Sequence, residues 1–256
     1  MTEKNRGQLI VALDVDTFEE ARQIVATLTD KVHIYKVGSQ LFTACGPAIV
    51  RHLQALGKNV FLDLKFHDIP NTVAQAVKNV VRLNIPVFEK NEQDKRPGAS
   101  FGAVILCTLH TSGGQEMLSL AAQIATKEAE AAQVMKPKLV GVTVLTSEAN
   151  KANIRDIVFQ RAQEAQASGL DGIVASGQEA SFIRQKLGED FIIITPGIRP
   201  PGSAVGDQTR VTTPSEAVQN GSDFLVVGRP VVKAENPSLA AESILQEIKQ
   251  AKDSRP

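Results

Sequence analysis

Short apolar runs alternate with longer segments whose apolar residues recur at helical spacing. The runs rich in Val, Ile and Leu fall at 9–15, 33–38, 59–65, 102–109, 138–145, 172–176, 191–198 and 223–228. Amphipathic or Ala-rich stretches lie between and after them, at 17–29, 47–56, 71–83, 115–134, 153–168, 178–187, 214–220 and 237–252. Near-continuous Val/Ile/Leu runs suit strands of a parallel sheet buried on both faces. Eight strands, each followed by a helix, predict an α/β fold of the (β/α)8 TIM-barrel type, a single domain over 1–256. A doubly wound open sheet is the alternative. It calls for a phosphate-binding glycine fingerprint after the first strand, and "LDVDTFEEA" has none.

Two segments interrupt the alternation. "PVFEKNEQDKRPGAS" (86–100) is polar, bounded by Pro and Gly, and precedes a strand; it reads as a solvated insertion on the barrel face away from the chemistry. "RPPGSAVGDQTRVTT" (199–213) follows the seventh strand on the chemical face and reads as a hinged lid.

Polar residues collect where barrel enzymes keep their chemistry, at the C-terminal ends of strands. Asp14 ends the first strand, Lys36 lies late in the second, and Asp63 and Lys65 end the third. Thr146 follows the fifth, Arg199 the seventh and Arg229 the eighth. Residues two apart in a strand face the same way, so Asp63 and Lys65 project together, opposite Leu62 and Leu64. With Asp14, Lys36 and Asp68, the expected result is an alternating array of two lysines and up to three carboxylates. Five charges on three neighbouring strand ends cost too much desolvation to be there only as braces. A lysine among carboxylates keeps its proton, which favours a proton donor over a Schiff-base nucleophile.

At the other side of the mouth, "TPGIRP" and "VVGRP" end the seventh and eighth strands. Loops there commonly bind phosphate: glycines admit backbone N–H groups close to an anion, and Arg229 offers a bidentate fork. Gln208, in the lid, could close over it. "HTSGG" (110–114) could bind an anion or simply cap a helix. His33, His52 and His67 have no partner at a diagnostic spacing and read as non-catalytic, as does His110.

Composition narrows the class. Lys plus Arg (28) equals Asp plus Glu (28), so no global basic field draws nucleic acid or anionic lipid, and one Tyr with no Trp makes base-stacking platforms scarce. Cys45 and Cys107 show neither disulfide framework nor metal spacing and read as free thiols in the core. No HExxH or other metal cluster is visible. "MTEKNRGQ" lacks an apolar signal core, and no apolar run approaches the ~18 residues of a membrane span; the expected location is cytoplasmic.

Taken together, "LDVD", "YKVG", "DLKFHDIPNT", "TVLTS", "TPGIRP…GDQTR" and "VVGRP" closely resemble the orotidine 5'-phosphate decarboxylase family, bacterial type, from about residue 8 to 250. The Asp-x-Lys-x-x-Asp stretch is the most specific part. The resemblance implies cofactor-independent conversion of orotidine 5'-phosphate to UMP and CO2 in pyrimidine biosynthesis, by a homodimer with shared sites. By position, it implies that Asp14 and Lys36 contact the ribose and the charge network, and that Asp63 faces the substrate carboxylate. Lys65 would protonate C6, and Thr146 would contact the pyrimidine. Gln208, Gly228 and Arg229 would bind phosphate with Arg199 beside them, while Asp68, Ile69 and Thr72 would reach the neighbouring subunit's site. Two places depart from the family pattern: the 86–100 insertion, and "LCTLHTSGG" in the fourth strand, where an Asn-Val-His type sequence is usual. The rival enzyme is a Mg2+-dependent hexulose-phosphate synthase-like aldolase, which shares Asp-x-Lys-x-x-Asp but typically carries Glu near the end of the second strand, where this chain has Lys36. A non-catalytic phosphate-ligand sensor on the same barrel is the remaining alternative.

Overall fold

In the computed structural model, eight parallel strands close into a barrel in sequence order, β1 to β8, with β8 pairing back onto β1 through Gln8↔Phe224 to Val11↔Val227. The structure describes residues 6–28, 30–86, 101–145, 153–201 and 210–254. The strands are β1 (Gln8–Ala12), β2 (Ile34–Gly38), β3 (Asn59–Phe66), β4 (Val104–His110), β5 (Lys138–Val142), β6 (Gly172–Val174), β7 (Ile192–Thr195) and β8 (Phe224–Val227). The 86–100 insertion falls almost wholly outside the described residues, as do the centre of the 199–213 loop with Gln208, and Thr146.

The apolar strand runs are explained by burial on two sides. Inward residues Ile10, Ala12, Ile34, Phe61, Leu106, Val140, Ile194 and Val226 fill the barrel interior. Outward residues such as Val11, Tyr35, Leu62, Cys107, Ile173 and Leu225 join a larger core with the surrounding helices. A barrel interior of this kind is a packed layer of branched side chains, so it can support a site only at its mouth.

The helices begin where local chemistry starts them: α1 (Phe18–Thr27) carries a capping box between Thr17 and Glu20, and α4 (Pro70–Arg82) starts on a proline that needs no N–H partner. Two short helices were not legible in the periodicity. One is α2 (Ser39–Cys45), divided from α3 (Ala48–Ala55) by Gly46 at φ 59° and Pro47. The following α5 (Gly114–Ala132), α6 (Ile154–Ala167), α7 (Gly177–Leu187) and α8 (Pro214–Gln219) match the expected segments. The second missed helix is α9 (Arg229–Val232), a single turn of strand-like residues before α10 (Pro237–Asp253).

Several strands stop earlier than their apolar runs suggest. β1 ends at Ala12, so Asp14 lies two residues past the ladder. β7 ends at Thr195 because Pro196 lacks an N–H and Gly197 turns to φ 74°. Among the described residues no helix is long and apolar enough to cross a membrane.

Candidate active site

Among the described residues, a cavity opens at each end of the barrel. One of about 380 Å³ sits at the strand N-termini, lined by Gln8, Lys31, His33, Asn59 and Lys252 among others. The other, about 470 Å³, opens at the strand C-termini. Only the second gathers the charged strand-end residues: Asp14, Lys36, Asp63 and Lys65 on one side, Gly197, Arg199, Gly228 and Arg229 on the other. Its floor is apolar, made by Ala12, Phe61, Val142, Val174, Ile194 and Val226.

The charges form a chain. Lys36 Nζ donates to Asp14 Oδ1 at 2.8 Å and lies 3.5 Å from Asp63 Oδ2. Lys65 Nζ donates to that same Asp63 oxygen at 2.9 Å. Asp63 is the buried hinge of the series, 8% exposed, while the Lys65 side chain is 39% exposed and opens into the cavity. Burial pushes the Asp63 carboxyl up, but the charges of Lys36 and Lys65 and hydrogen bonds from Lys65 and Thr108 outweigh it. The group is held below the ordinary carboxylate range. Space is tight: a Cβ on Gly38 would meet Lys36 Nζ at 3.0 Å, so the glycine of "YKVG" makes room for the ammonium.

Simple alternation along β3 is not what aims Lys65. The β3–β4 register runs Leu62↔Cys107 and then Phe66↔Leu109, so three residues of β3 stand opposite Thr108 alone. This bulge carries Asp63, Leu64 and Lys65, and Lys65 sits at φ 51°, in the left-handed region. Bulges re-aim side chains, and a strained non-glycine residue at a charged cavity is where function and strain coincide.

The array holds two carboxylates, not three. Asp68 lies beyond β3, exposed, with its Oδ1 accepting the N–H of Ile69 at 2.6 Å, and forms no ion pair among the described residues. The chain turns there into α4, which carries the carboxylate away from the cavity. Ile69, 66% exposed, and Thr72, also exposed, likewise do not line it.

On the opposite rim, Arg199 is 8% exposed and donates to the Ile198 carbonyl at 2.9 Å. Its backbone is fastened across the base of the loop: Arg199 N–H donates to Thr212 O at 3.0 Å, and Ile198 bridges Thr212. Arg229 opens α9 beside Gly228. Lys233, four residues on, also lines the cavity, as does Gln40 of α2. Sequence reading missed both because it missed their helices; recognising α9 would have put Lys233 on the face of Arg229.

The "HTSGG" stretch acts as a cap: His110 Nδ1 is 2.6 Å from Ser112 Oγ, and a 3-10 turn, Thr111–Gly113, leads into α5. His67 stacks on His110 at 5.4 Å. His52 packs against Phe18 at 5.1 Å, and burial, with Arg22 nearby, lowers its pKa. Cys107 is fully buried and Cys45 half-buried, both free. Among the described residues no group of three or more His, Cys, Asp or Glu is disposed to hold a metal ion, and Lys36 stands between the two carboxylates of the mouth.

The profile of the orotidine 5'-phosphate decarboxylase / HUMPS family matches residues 7–244. A protein of Geobacter metallireducens named orotidine 5'-phosphate decarboxylase is 43% identical over 251 residues, 95% of this chain and 96% of the relative. Its namesake from Geobacter sulfurreducens is 42% identical with the same coverage. Among solved structures, orotidine 5'-phosphate decarboxylase from Lactobacillus acidophilus superposes with a TM-score of 0.76 at 32% identity, over 94% of this chain and 98% of that one.

Proposed function

The chain belongs to the orotidine 5'-phosphate decarboxylase / HUMPS family, and we propose that Lys65 is the group that delivers a proton to C6 as carbon dioxide leaves orotidine 5'-phosphate. The activity is that of a carboxy-lyase forming UMP and CO2 in pyrimidine biosynthesis. The observation that carries the role of Lys65 is its position: Nζ held 2.9 Å from a buried aspartate whose other neighbour is Lys36, with the rest of the side chain open to the cavity.

The chemistry explains why such an arrangement is useful. Loss of CO2 leaves a lone pair at C6 in the plane of the pyrimidine ring, where the π system cannot delocalise it. A cation fixed beside that carbon stabilises the developing charge without reorganising, then gives up a proton to it. Asp63 holds the amine in register and faces the departing carboxylate; Asp14 and Lys36 contact the ribose and close the charge chain. The apolar floor takes the base, and Thr146 is the pyrimidine contact that the family resemblance implies. Arg199, Gly228 and Arg229, with Gln208, take the phosphate, and binding energy gathered there can be used at the reacting carbon.

The same reading makes the enzyme a cytoplasmic homodimer. The exposed Asp68, Ile69 and Thr72, which leave their own cavity unlined, are supplied to the neighbour's site. It requires no metal: a Mg2+ aldolase site would need an acid where Lys36 sits, and a cation there repels the ion. The test is EDTA-treated protein mixed with orotidine 5'-phosphate, followed by loss of its ultraviolet absorbance. Turnover without added metal is expected; turnover only after Mg2+ addition would overturn the reading.

A further inference from the structure

We infer that Thr108 is a positioning residue for this reaction, its hydroxyl setting both the carboxylate and the backbone that aim Lys65; the inference rests on the functional reading above. Thr108 lies mid-β4, fully buried, in the stretch where the sequence departs from the family pattern. Its Oγ1 accepts the N–H of Lys65 at 2.8 Å and lies 3.1 Å from Asp63 Oδ1, to which it donates. A threonine hydroxyl has one proton to give and two lone pairs, so this side chain makes both bonds at once and fixes which way its proton points.

The register shows why a side chain is needed here. Three residues of β3 face the single residue Thr108, so the ordinary ladder of backbone bonds cannot hold the bulged segment. The Lys65 N–H, in a left-handed conformation that a lysine rarely adopts, finds its acceptor in the Thr108 hydroxyl. The same hydroxyl occupies Oδ1 of Asp63, leaving Oδ2 to face Lys36 and Lys65. Thr108 therefore ties the two ends of the bulge, Asp63 and Lys65, to one atom. Without it the carboxylate is free to rotate about χ2 and the Lys65 backbone to relax out of the left-handed region. Either change moves Nζ relative to the substrate carbon.

The test is Thr108→Val, which keeps the shape of the side chain and removes both bonds, compared with Thr108→Ser, which keeps the hydroxyl. For Thr108→Val, kcat for orotidine 5'-phosphate falls about 10²-fold, the scale of a misplacement of order 1 Å, while UMP affinity stays at the wild-type value. Thr108→Ser returns most of the rate. A crystal structure of Thr108→Val shows Lys65 out of the left-handed region or Asp63 rotated away from it. Unchanged kcat in Thr108→Val, or equal losses of kcat in the Val and Ser variants, overturns the inference. So does a crystal structure in which Asp63 and Lys65 keep their places. If wild-type protein fails to decarboxylate, the functional reading falls, and the crystal structure still decides whether Thr108 positions Lys65.

Discussion

The barrel carries a buried aspartate–cation assembly at each end, and the two are built differently. At the N-terminal end, Arg184 of α7 donates to Asp223 Oδ2 at 2.6 Å, and its remaining N–H groups go to the carbonyls of Gly188, Glu189, Phe191 and Gly221. Asp223 in turn accepts the N–H of Ile193 at 2.8 Å. Every direction around that guanidinium is filled by protein, so the pair ties the start of β7 and β8 to the end of α7 and has nothing to offer a ligand. At the C-terminal end, Asp63 is saturated in the same way by Lys36, Lys65 and Thr108, but the lysines around it line open space. A buried charge filled on all sides is a brace. A buried charge that holds another charge at the edge of a cavity is a working part.

That contrast can be broken by substitution, and the largest effect belongs to Lys65. Lys65→Ala should lower kcat by about 10³- to 10⁴-fold, the upper range for a positioned proton donor, with the thermal midpoint close to wild type and UMP still bound. Steady-state kinetics beside a UMP titration measures both halves of the statement. The next largest effect falls at the opposite end. Arg184→Met leaves the buried Asp223 with only the longer contact to Arg6, whose Nε lies 3.6 Å from Oδ1, and should cost about 3 kcal/mol of stability, the lower end for a broken buried pair, read from urea unfolding, while the fraction still folded keeps the wild-type kcat. If Arg184→Met damaged turnover more than stability, the two assemblies would not be separate devices.

The smallest effect concerns pH. The Asp63 carboxyl is held below its ordinary value of 3.8. Its ionised form therefore contributes stability that is complete above about pH 3.8 and is lost as the pH falls through the lowered folded value. Wild-type protein should lose stability more steeply than Asp63→Asn on acidification below that point, measured as urea midpoints against pH. Equal slopes would mean that the two lysines do not hold the carboxylate ionised.

Much of this was legible in the chain. Continuous apolar runs encode strands buried on two faces, and their alternation with amphipathic stretches encodes the closed barrel, because each strand must be covered inside and out. Charges at the ends of such runs mark the mouth, since they have no reason to be in a strand otherwise. Other features could not be read. α9 is a single turn, too short for a period, and with it Lys233 was missed. The bulge at Asp63–Lys65 depends on register against β4, a long-range property, so alternation placed the pair on the correct side without revealing Thr108 or the left-handed backbone. Asp68 stands only three residues from Lys65 in sequence, so proximity alone joins it to the array, whereas the turn into α4 takes it outward.

The role proposed for the Lys65 amine is to exchange a proton with C6 of the nucleotide. Run in reverse, the same step removes the C6 hydrogen of UMP, so incubation of UMP with the enzyme in D2O, followed by NMR, tests it without any decarboxylation. Wild-type protein is expected to replace that hydrogen by deuterium, and Lys65→Ala, saturated with UMP, to leave it in place. Exchange by Lys65→Ala at the wild-type rate would contradict the claim.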